Sequence, residues 1–272
     1  MKVEIRESKS VAVKSNIPSI DYVVNPYTGC QHGCIYCYAE FMIRFTGHKG
    51  EKWGEFLDVK DLPLEKVKPH KYDGKTLLLS SVTDPYLPLE QKYGNTRKVL
   101  NALVGTTAKI IVLTKSHLVQ RDLNLFKKFD NIEVGVSLCS LDEKFSRMVE
   151  PHASSPAKRL KALEKVYNSG VPSYAFISPY FPEITDFKAI IDVSRGFVDS
   201  FRFENLNFRP HNVPRILHLV KKLRPDLLPL YKSIKYGDRA YWNDLESYIR
   251  DYCESEKLDF KIEFHHGGFS KS

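Results

Sequence analysis

The sequence predicts an α/β fold, a partial TIM-like barrel of the open (β/α)6 kind with a C-terminal helical extension. Three observations support this prediction. Apolar runs rich in Val, Ile, Leu and Phe alternate with helical patterns along the chain, which is typical of a parallel sheet. Successive runs begin about 25–50 residues apart, as strand–helix units do. A length of 272 residues accommodates six such units in one large domain.

The predicted strands occupy residues 22–25, 76–81, 109–114, 132–138, 173–177 and 201–206. Their high content of β-branched and large apolar residues indicates burial on both faces of a sheet. The clearest helix is predicted over 156–169. Ser155 is its expected N-cap, Pro156 its first residue and Gly170 its stop signal.

Two segments lie outside this repeating pattern. The chain therefore divides into a predicted N-terminal extension over 1–20, a barrel core over 21–210, and a C-terminal part over 211–272 that packs on the barrel. The last part is predicted to contain helices over 213–223 and 239–256 and a strand-like run over 259–264. Its closing His-His-Gly-Gly, at 265–268, is predicted to fray, as chain termini commonly do.

Composition limits the class of protein. Lys and Arg number 41 against 33 Asp and Glu, a formal net charge of +8, and the basic residues are spread along the chain. This balance permits an anionic partner without indicating a dedicated nucleic-acid groove. No apolar run has the length of a membrane span, and five cysteines without a signal peptide disfavour a disulfide framework. We expect a cytoplasmic protein with no membrane partner.

The most specific feature is a run of three cysteines, Cys30, Cys34 and Cys37, spaced C-x3-C-x2-C in NPYTGCQHGCIYCYAE. It directly follows the first predicted strand, and reactive groups of such barrels lie at the carboxyl ends of strands. Three thiolates on one loop can each bind one iron of a cubane cluster. The fourth iron then stays open to another ligand.

Two other interpretations of the cysteines stay open. A structural zinc site needs four ligands, so His32 or a distant cysteine would have to supply the fourth, and no second C-x2-C pair exists. The thiols could also be buried and free. That interpretation suits the two remaining cysteines better: Cys253 lies in a helical stretch, and Cys139 ends an apolar run.

Ordered motifs further along the chain resemble the radical S-adenosylmethionine (SAM) superfamily, and within it the spore photoproduct lyase-like family, often labelled DNA-repair photolyase-like. Besides the cysteine run, they are SVTDPYLPLE at 81–90, NTR at 95–97, LTKSHLVQRD at 113–122, VSL at 136–138 and LDEKFSRMVEPHASSPAKRLKAL at 141–163. The resemblance implies a [4Fe–4S] cluster on the three cysteines and SAM as a second cofactor. It also implies a reductase or a ferredoxin- or flavodoxin-type electron donor.

The resemblance assigns SAM contacts to four residues near the first two strands. Tyr36 and Tyr38 flank the third cysteine, where family members contact the adenine. Thr83 and Asp84 match a segment that lines the SAM pocket. Their simpler interpretations are core aromatics for the tyrosines and turn formation for Asp84, which precedes Pro85.

Two further SAM contacts are implied on the third and fourth strands. Lys115 matches the family lysine that pairs with the SAM carboxylate, and Ser137 matches a serine near the ribose. Lys115 follows the apolar run KIIVLT, so an anionic ligand explains it better than core packing. A surface loop lysine and a small strand residue are the alternatives.

One position departs from the family pattern. Spore photoproduct lyase has a cysteine near the end of the second strand that donates hydrogen to the product radical, and this sequence has Ser81 there. An O–H bond is a much poorer hydrogen donor to a carbon radical than S–H. The resemblance therefore predicts a relative with a different substrate.

The sequence thus predicts a radical SAM enzyme that cleaves SAM reductively and abstracts hydrogen from a nucleic acid or a small molecule. Polar residues near the last strands are the candidate substrate pocket, because such groups are costly to bury unpaired: Tyr180, Glu204, Asn205, Asn207 and Arg209, with Cys139 as a further candidate. The alternative is a non-catalytic iron–sulfur or zinc-binding interaction protein.

Overall fold

The computed structural model describes residues 1–265. Its strands are β1 (Lys2–Glu7), β2 (Val13–Lys14), β3 (Tyr22–Val24), β4 (Tyr27–Thr28), β5 (Phe56–Asp61), β6 (Thr76–Leu79), β7 (Lys109–Thr114), β8 (Ile132–Ser137), β9 (Ser173–Tyr180), β10 (Ser200–Asn205) and β11 (Phe260–Ile262). Its α-helices are α1 (Glu90–Tyr93), α2 (Asn95–Leu103), α3 (Leu123–Phe126), α4 (Glu143–Val149), α5 (Pro156–Asn168), α6 (Phe187–Ser194), α7 (Val213–Leu223), α8 (Leu228–Lys235) and α9 (Ala240–Ser255). Short 3-10 helices cover Tyr38–Phe45, Leu64–Lys66, Pro69–Tyr72, His117–Asp122, Arg195–Phe197 and Pro225–Leu227.

The main sheet has eight strands in the order β11-β10-β9-β8-β7-β6-β3-β2. All neighbours run parallel except β2 and β3. The six predicted strands are β3 and β6 to β10, in chain order across the sheet. Their carboxyl ends therefore lie along one edge, which brings together residues far apart in sequence.

Helices pack against this sheet, and the buried side chains between them form two apolar clusters. One joins β6 and β7 to α2 through side chains such as Leu77, Ile110 and Val99. The other joins β9 and β10 to the helices that follow them, with Ile177 and Phe203 among its buried members. The C-terminal helices α7, α8 and α9 all contribute to the second cluster, so they are part of the core.

The N-terminal extension forms a small second sheet that the sequence pattern did not predict. Strand β1 pairs parallel with β5, and β5 pairs antiparallel with β4. The sequence of β1, KVEIRE, lacks the apolar character of the core strands, which agrees with its mostly exposed position. This sheet fixes β4, which leads directly into the cysteine run.

Local signals at the helix ends were mostly correct. Helix α5 begins at Pro156 with Ser155 in the N-cap position, although the Ser155 side chain makes no capping hydrogen bond. Gly170 follows the helix with a φ of 79°. Helix α8 was not predicted. One proline, Pro225, lies just before it and a second lies within it, and both are usually read as signals against a helix. Pro229 lies in its first turn, where proline is tolerated.

No helix within residues 1–265 is long and apolar enough to cross a membrane. The strand predicted over 259–264 corresponds to β11, which extends the sheet beyond β10. The predicted fraying of the His-His-Gly-Gly end concerns residues that, after His265, lie outside the described part of the chain.

A glycine in the sheet interior allows one aromatic ring to cross the strands. Gly135 on β8 pairs with Tyr174 on β9. A Cβ at Gly135 would lie 2.1 Å from the Cζ atom of Tyr174. The ring occupies that space, its hydroxyl reaches the carbonyl of Val112 at 3.4 Å, and the guanidinium of Arg202 lies 3.8 Å from its centroid.

We expect Gly135→Ala to destabilise the protein by about 1–3 kcal/mol, because the ring would have to leave a well-packed position. Urea unfolding followed by circular dichroism measures the change. Gly196→Ala is the control, since a Cβ there meets nothing within 4 Å, and it should stay within about 0.5 kcal/mol of wild type. Equal stability of the two variants would show that the ring has room to move.

Candidate functional site

The three cysteines lie on an irregular loop that follows β3 and β4. Gly29 precedes it with a φ of 88°, and a Cβ there would lie 2.7 Å from the carbonyl oxygen of Phe56, so this position needs glycine. Two tight turns shape the loop: the amide of Gly33 donates to the carbonyl of Cys30 at 3.3 Å, and that of Cys37 donates to Cys34 at 3.2 Å.

Burial dominates the chemistry of these thiols. Cys30 and Cys34 are buried, and Cys37 is partly buried. Burial raises the pKa of all three, and nearby acidic groups and the other thiols raise the pKa of Cys30 and Cys34 further. Three thiolates in this position would therefore need a compensating positive centre such as metal ions.

The number of sulfur ligands bears on which metal could do this. The loop offers three free thiols, whereas a structural zinc site needs four ligands. In a cubane cluster, three thiolates can each bind a different iron.

Within residues 1–265, potential metal-ligand atoms of Glu4, His48 and Asp58 lie within 4.8 Å of one another. Its members already have ionic partners. Arg6 pairs with both Glu4 and Asp58, and the His48 ring lies 2.8 Å from Asp58. This group is therefore explained as an ion-pair network between β1 and β5.

Side chains from the C-terminal part hold the backbone of the cysteine loop. Three consecutive carbonyl oxygens of the loop, those of residues 35, 36 and 37, each accept a hydrogen bond from it. The donors are Arg215 Nε at 3.0 Å, Asn212 Nδ2 at 2.8 Å and His211 Nε2 at 3.1 Å. We call residues 211–215 the loop clamp.

Sequence reasoning missed the loop clamp. Asn212 precedes α7 in the N-cap position, but its side chain makes no capping bond to the helix. It is fully buried and bonds instead to the cysteine loop and to the carbonyl of Asn207. The Asn-Val-Pro sequence indicates a helix start and carries no signal for a contact 176 residues away.

A buried charge network lies beside the cysteine loop. Glu150 accepts hydrogen bonds from the hydroxyl of Tyr36 and from the guanidinium of Arg159. Arg159 is 1% exposed, and it also donates to the carbonyls of Ser137 at 2.9 Å and Ser154 at 2.7 Å. Neither charged residue was singled out from the sequence, although both lie in the segment 141–163.

Lys115 lies at the end of β7 close to this network. Its Nζ is 5.8 Å from the centroid of the Tyr36 ring. Burial alone lowers the pKa of Lys115, but Glu150, the Cys34 sulfur and Asp84 outweigh it and raise the pKa. For Glu150, burial raises the pKa, yet Arg159 and Lys115 lower it below its usual value. Both groups are therefore charged at neutral pH.

Asp84 joins the ends of two strands through hydrogen bonds. Its carboxylate accepts from the Thr114 hydroxyl at 2.6 Å, from the Lys115 amide at 2.8 Å and from the Tyr86 amide at 2.8 Å. His32, in the cysteine loop, lies 3.4 Å from it. Asp84 thus fixes the position of Lys115 relative to the cysteines, and the contact to SAM that the resemblance implies stays a prediction.

Other implied SAM contacts have partners within the fold. The Thr83 hydroxyl donates to the carbonyl of Gly29 at 2.5 Å, and Ser137 donates to that of Ser178 at 2.8 Å. Tyr38 is 40% exposed, and its hydroxyl donates to the carbonyl of Ser81. Tyr36 and Tyr38 therefore face different surroundings, one buried and one open.

The backbone at Ser81 is held from several sides. Its amide donates to the Asn25 side chain at 3.0 Å. The preceding residue, Ser80, has a φ of 71°, which is costly for a residue other than glycine. The turn places Ser81 beside Tyr38, near the cysteine loop.

The residues predicted to contact substrate separate into two groups. Cys139 and Tyr180 pack in the apolar core. Asn205 bonds to both backbone groups of His265, at 2.8 and 3.2 Å, and so fixes the segment after β11. Asn207 serves the loop clamp through its carbonyl. These contacts give the side chains of Cys139, Tyr180 and Asn205 and the backbone of Asn207 a structural role, and a contact of any of the four with substrate stays a prediction.

Glu204 and Arg209 remain near an open surface. Glu204 accepts from the Ser178 hydroxyl at 2.6 Å and lies 3.4 Å from His265 Nε2. Although the Tyr38 side chain is partly exposed, partial desolvation of its hydroxyl raises its pKa, and Glu204 raises the pKa further, whereas Arg209 lowers it. Tyr38 therefore lies close enough to Glu204 and to Arg209 to be affected by both charges.

We expect Glu150→Gln to destabilise the fold by about 3–5 kcal/mol at pH 7, because it leaves the buried guanidinium of Arg159 without a counter-charge. The folded-state pKa of Glu150 is lowered, so its contribution is present above the pKa of the unfolded chain. It is lost as pH falls through the folded-state value. The difference from wild type should therefore stay constant from pH 7 down to the ordinary Glu pKa of about 4.3 and shrink below it, as measured by urea unfolding at pH 7 and at several values below that pKa.

Glu143→Gln is the matched control for this prediction. Glu143 lies on α4, whose C-cap is Glu150, and its ion pair with Arg147, at 3.2 Å, is exposed. Loss of such a pair should cost no more than about 1 kcal/mol. Similar losses in the two variants would contradict the role assigned to the buried pair.

Comparison with known proteins agrees with this geometry. Residues 24–192 match the family model of the Radical SAM superfamily. An uncharacterized protein of Methanocaldococcus jannaschii is 38% identical over 207 residues, covering 76% of this chain and 78% of that protein. A spore photoproduct lyase mutant solved with a dinucleoside spore photoproduct superposes with a TM-score of 0.72 at 18% identity, covering 97% of this chain and 82% of that one. A second mutant of that enzyme, with bound AdoMet and the dinucleoside spore photoproduct, superposes with a TM-score of 0.70 at 18% identity and again covers 97% of this chain and 82% of that one. The structural likeness confirms the predicted fold class.

Proposed function

Because the chain belongs to the radical SAM superfamily of enzymes, we propose that Cys30, Cys34 and Cys37 bind a [4Fe–4S] cluster and that SAM binds beside it. The observation that carries this proposal is the meeting of the cysteine loop with Lys115 at one edge of the sheet. With both cofactors bound, reductive cleavage of the SAM carbon–sulfur bond supplies a 5′-deoxyadenosyl radical that abstracts hydrogen from a substrate.

The residues around the loop fit such a cluster. Burial raises the pKa of the three thiols, so as thiolates they would need the positive charge of metal ions beside them. The indole Nε1 of Trp53 is buried, and its hydrogen bonding to the Cys37 side chain lowers the pKa of that thiol against the larger effect of burial. Its ring packs in one apolar cluster with Cys30 and Cys37, so a thiolate sulfur would give it an acceptor.

Lys115 is the residue we assign to the carboxylate of SAM. A hydrogen bond from its backbone amide to Asp84 fixes the backbone of Lys115 at the end of β7. The raised pKa keeps its ammonium charged. The carboxylate of Glu150, which also pairs with Arg159, compensates the charge of the Lys115 ammonium. An uncompensated charge in this partly buried position would be costly. Tyr36 and Tyr38 are assigned to the adenine, Thr83 and Asp84 to the pocket wall, and Ser137 to the ribose.

We place the substrate beside Tyr38, Glu204 and Arg209, where charged groups stay open to solvent at the end of β10. A carboxylate, a guanidinium and a phenol can position a polar substrate by hydrogen bonds. A nucleic acid and a small polar molecule both fit this description. Ser81 lies next to Tyr38 with a hydroxyl in place of the family's thiol, which argues against repair of spore photoproduct as the reaction.

We expect Cys34→Ala to abolish cluster assembly, since one iron would lose its thiolate. After anaerobic reconstitution, wild type should contain about four irons per chain and absorb visible light. With dithionite and SAM it should produce 5′-deoxyadenosine, and the variant should produce none. Cys253 is a buried residue of α9, far along the chain from the cysteine loop. The Cys253→Ala variant should therefore bind as much iron and form as much 5′-deoxyadenosine as wild type. A Cys34→Ala protein that retains them would exclude the proposed ligand set.

We expect Lys115→Met to weaken SAM binding about 10- to 100-fold, because a charged hydrogen bond is worth about 1.5–3 kcal/mol. Anaerobic calorimetry on cluster-loaded protein measures the dissociation constant, and iron content checks that the cluster is intact. Lys127→Met, at an exposed position, should bind SAM as wild type does. An unchanged dissociation constant for the Lys115 variant would remove the residue from the SAM site.

A further inference from the structure

A surface groove lies where α4 and α7 meet the cysteine loop. Its volume is about 440 Å³. The side chains of Ile35, Met148 and Leu219 make its apolar floor, and Arg215, His218 and Lys222 make its basic rim. None of these residues has been given a part in binding SAM or substrate.

The floor of this groove is part of the cysteine loop itself. Ile35 follows Cys34 directly, and both backbone groups of Ile35 are fixed. Its amide donates to the carbonyl of Val149 at 3.0 Å, and its carbonyl accepts from Arg215 at 3.0 Å. A molecule bound in the groove would therefore contact Ile35, whose fixed backbone is bonded directly to Cys34, one of the proposed cluster ligands.

The rim is lined by basic side chains and is open. His218 and Lys222 are both exposed and stand four residues apart, so they share one face of α7 with Arg215. Arg215 pairs with Glu40. Lys222 forms no ion pair with any residue between 1 and 265 that the structure describes, so its charge is available to a partner.

We propose that this groove is the docking site of an acidic one-electron carrier protein, a partner that the proposed function requires. The carrier gives up one electron and the cluster gains it, and no atom is transferred. Electron-transfer encounters use small interfaces, and complementary charge steers them. An apolar floor that includes methionine and isoleucine is typical of protein partners, whereas a phosphate backbone is bound mainly through cationic and polar groups.

The test uses the full chain loaded with its cluster, and an acidic flavodoxin as the probe. In His218→Glu/Lys222→Glu, the dissociation constant for flavodoxin, measured by calorimetry, should rise about tenfold or more. The rate at which reduced flavodoxin bleaches the cluster absorbance should fall in step. The rate with dithionite should match wild type, because a small reductant needs no docking surface.

His70→Glu/Lys127→Glu provides a control with the same change in charge at two exposed positions elsewhere. It should bind flavodoxin within about twofold of wild type, since steering depends on charge near the contact. Equal losses in the two double variants, or an unchanged dissociation constant in the groove variant, would overturn the docking site. So would an oligonucleotide that displaces flavodoxin and itself loses affinity in the groove variant. Failure of dithionite to reduce the wild-type cluster would instead contradict the proposed function.

Discussion

The cysteine loop has no strand or helix to fix its backbone, and much of the surrounding structure serves to hold it. Peptide groups in an irregular buried segment need partners from elsewhere. Here the small N-terminal sheet fixes the entry to the loop through β4, and the loop clamp binds three consecutive carbonyls from the other side. The loop is thus positioned by segments that precede and follow it by many residues.

Electrostatics imposes a second constraint at the same place. Three thiols and a lysine that are buried or partly buried lie in one region with a fully buried Glu–Arg pair, and each charge is costly there alone. The arrangement works because the charges alternate. Arg159 and Lys115 lower the pKa of Glu150, and Glu150 in turn raises the pKa of Lys115. A cationic cluster core beside the thiolates would continue this alternation.

The C-terminal part links these two constraints to the rest of the fold. Helix α7 packs in the core behind β9 and β10 and supplies Arg215 to the cysteine loop. Its outer face forms the basic rim of the groove. One helix thereby connects the interior, the proposed cofactor site and a surface suited to a partner. Asn205 completes this arrangement by fixing the segment after β11.

The sequence by itself determined six strands of the main sheet and the place of the cysteine loop after the first of them. Apolar runs and the C-x3-C-x2-C spacing are local patterns, so β3 and β6 to β10 and the positions of Cys30, Cys34 and Cys37 could be predicted without a structure. The resemblance added Lys115, whose place at the end of β7 was also expected from the run before it.

Only the tertiary structure decided what these residues meet. The bonds from Asn212 and Arg215 to the loop cross about 175–180 residues, and no local pattern encodes such contacts. Tyr180 and Cys139 could not be separated from Glu204 by sequence, because all of them lie at or just beyond strand ends and only packing determines which are covered. The N-terminal sheet was missed for a similar reason. β1 is exposed and lacks the apolar composition of a core strand, and only its pairing with β5, a distant segment of the chain, makes it a strand.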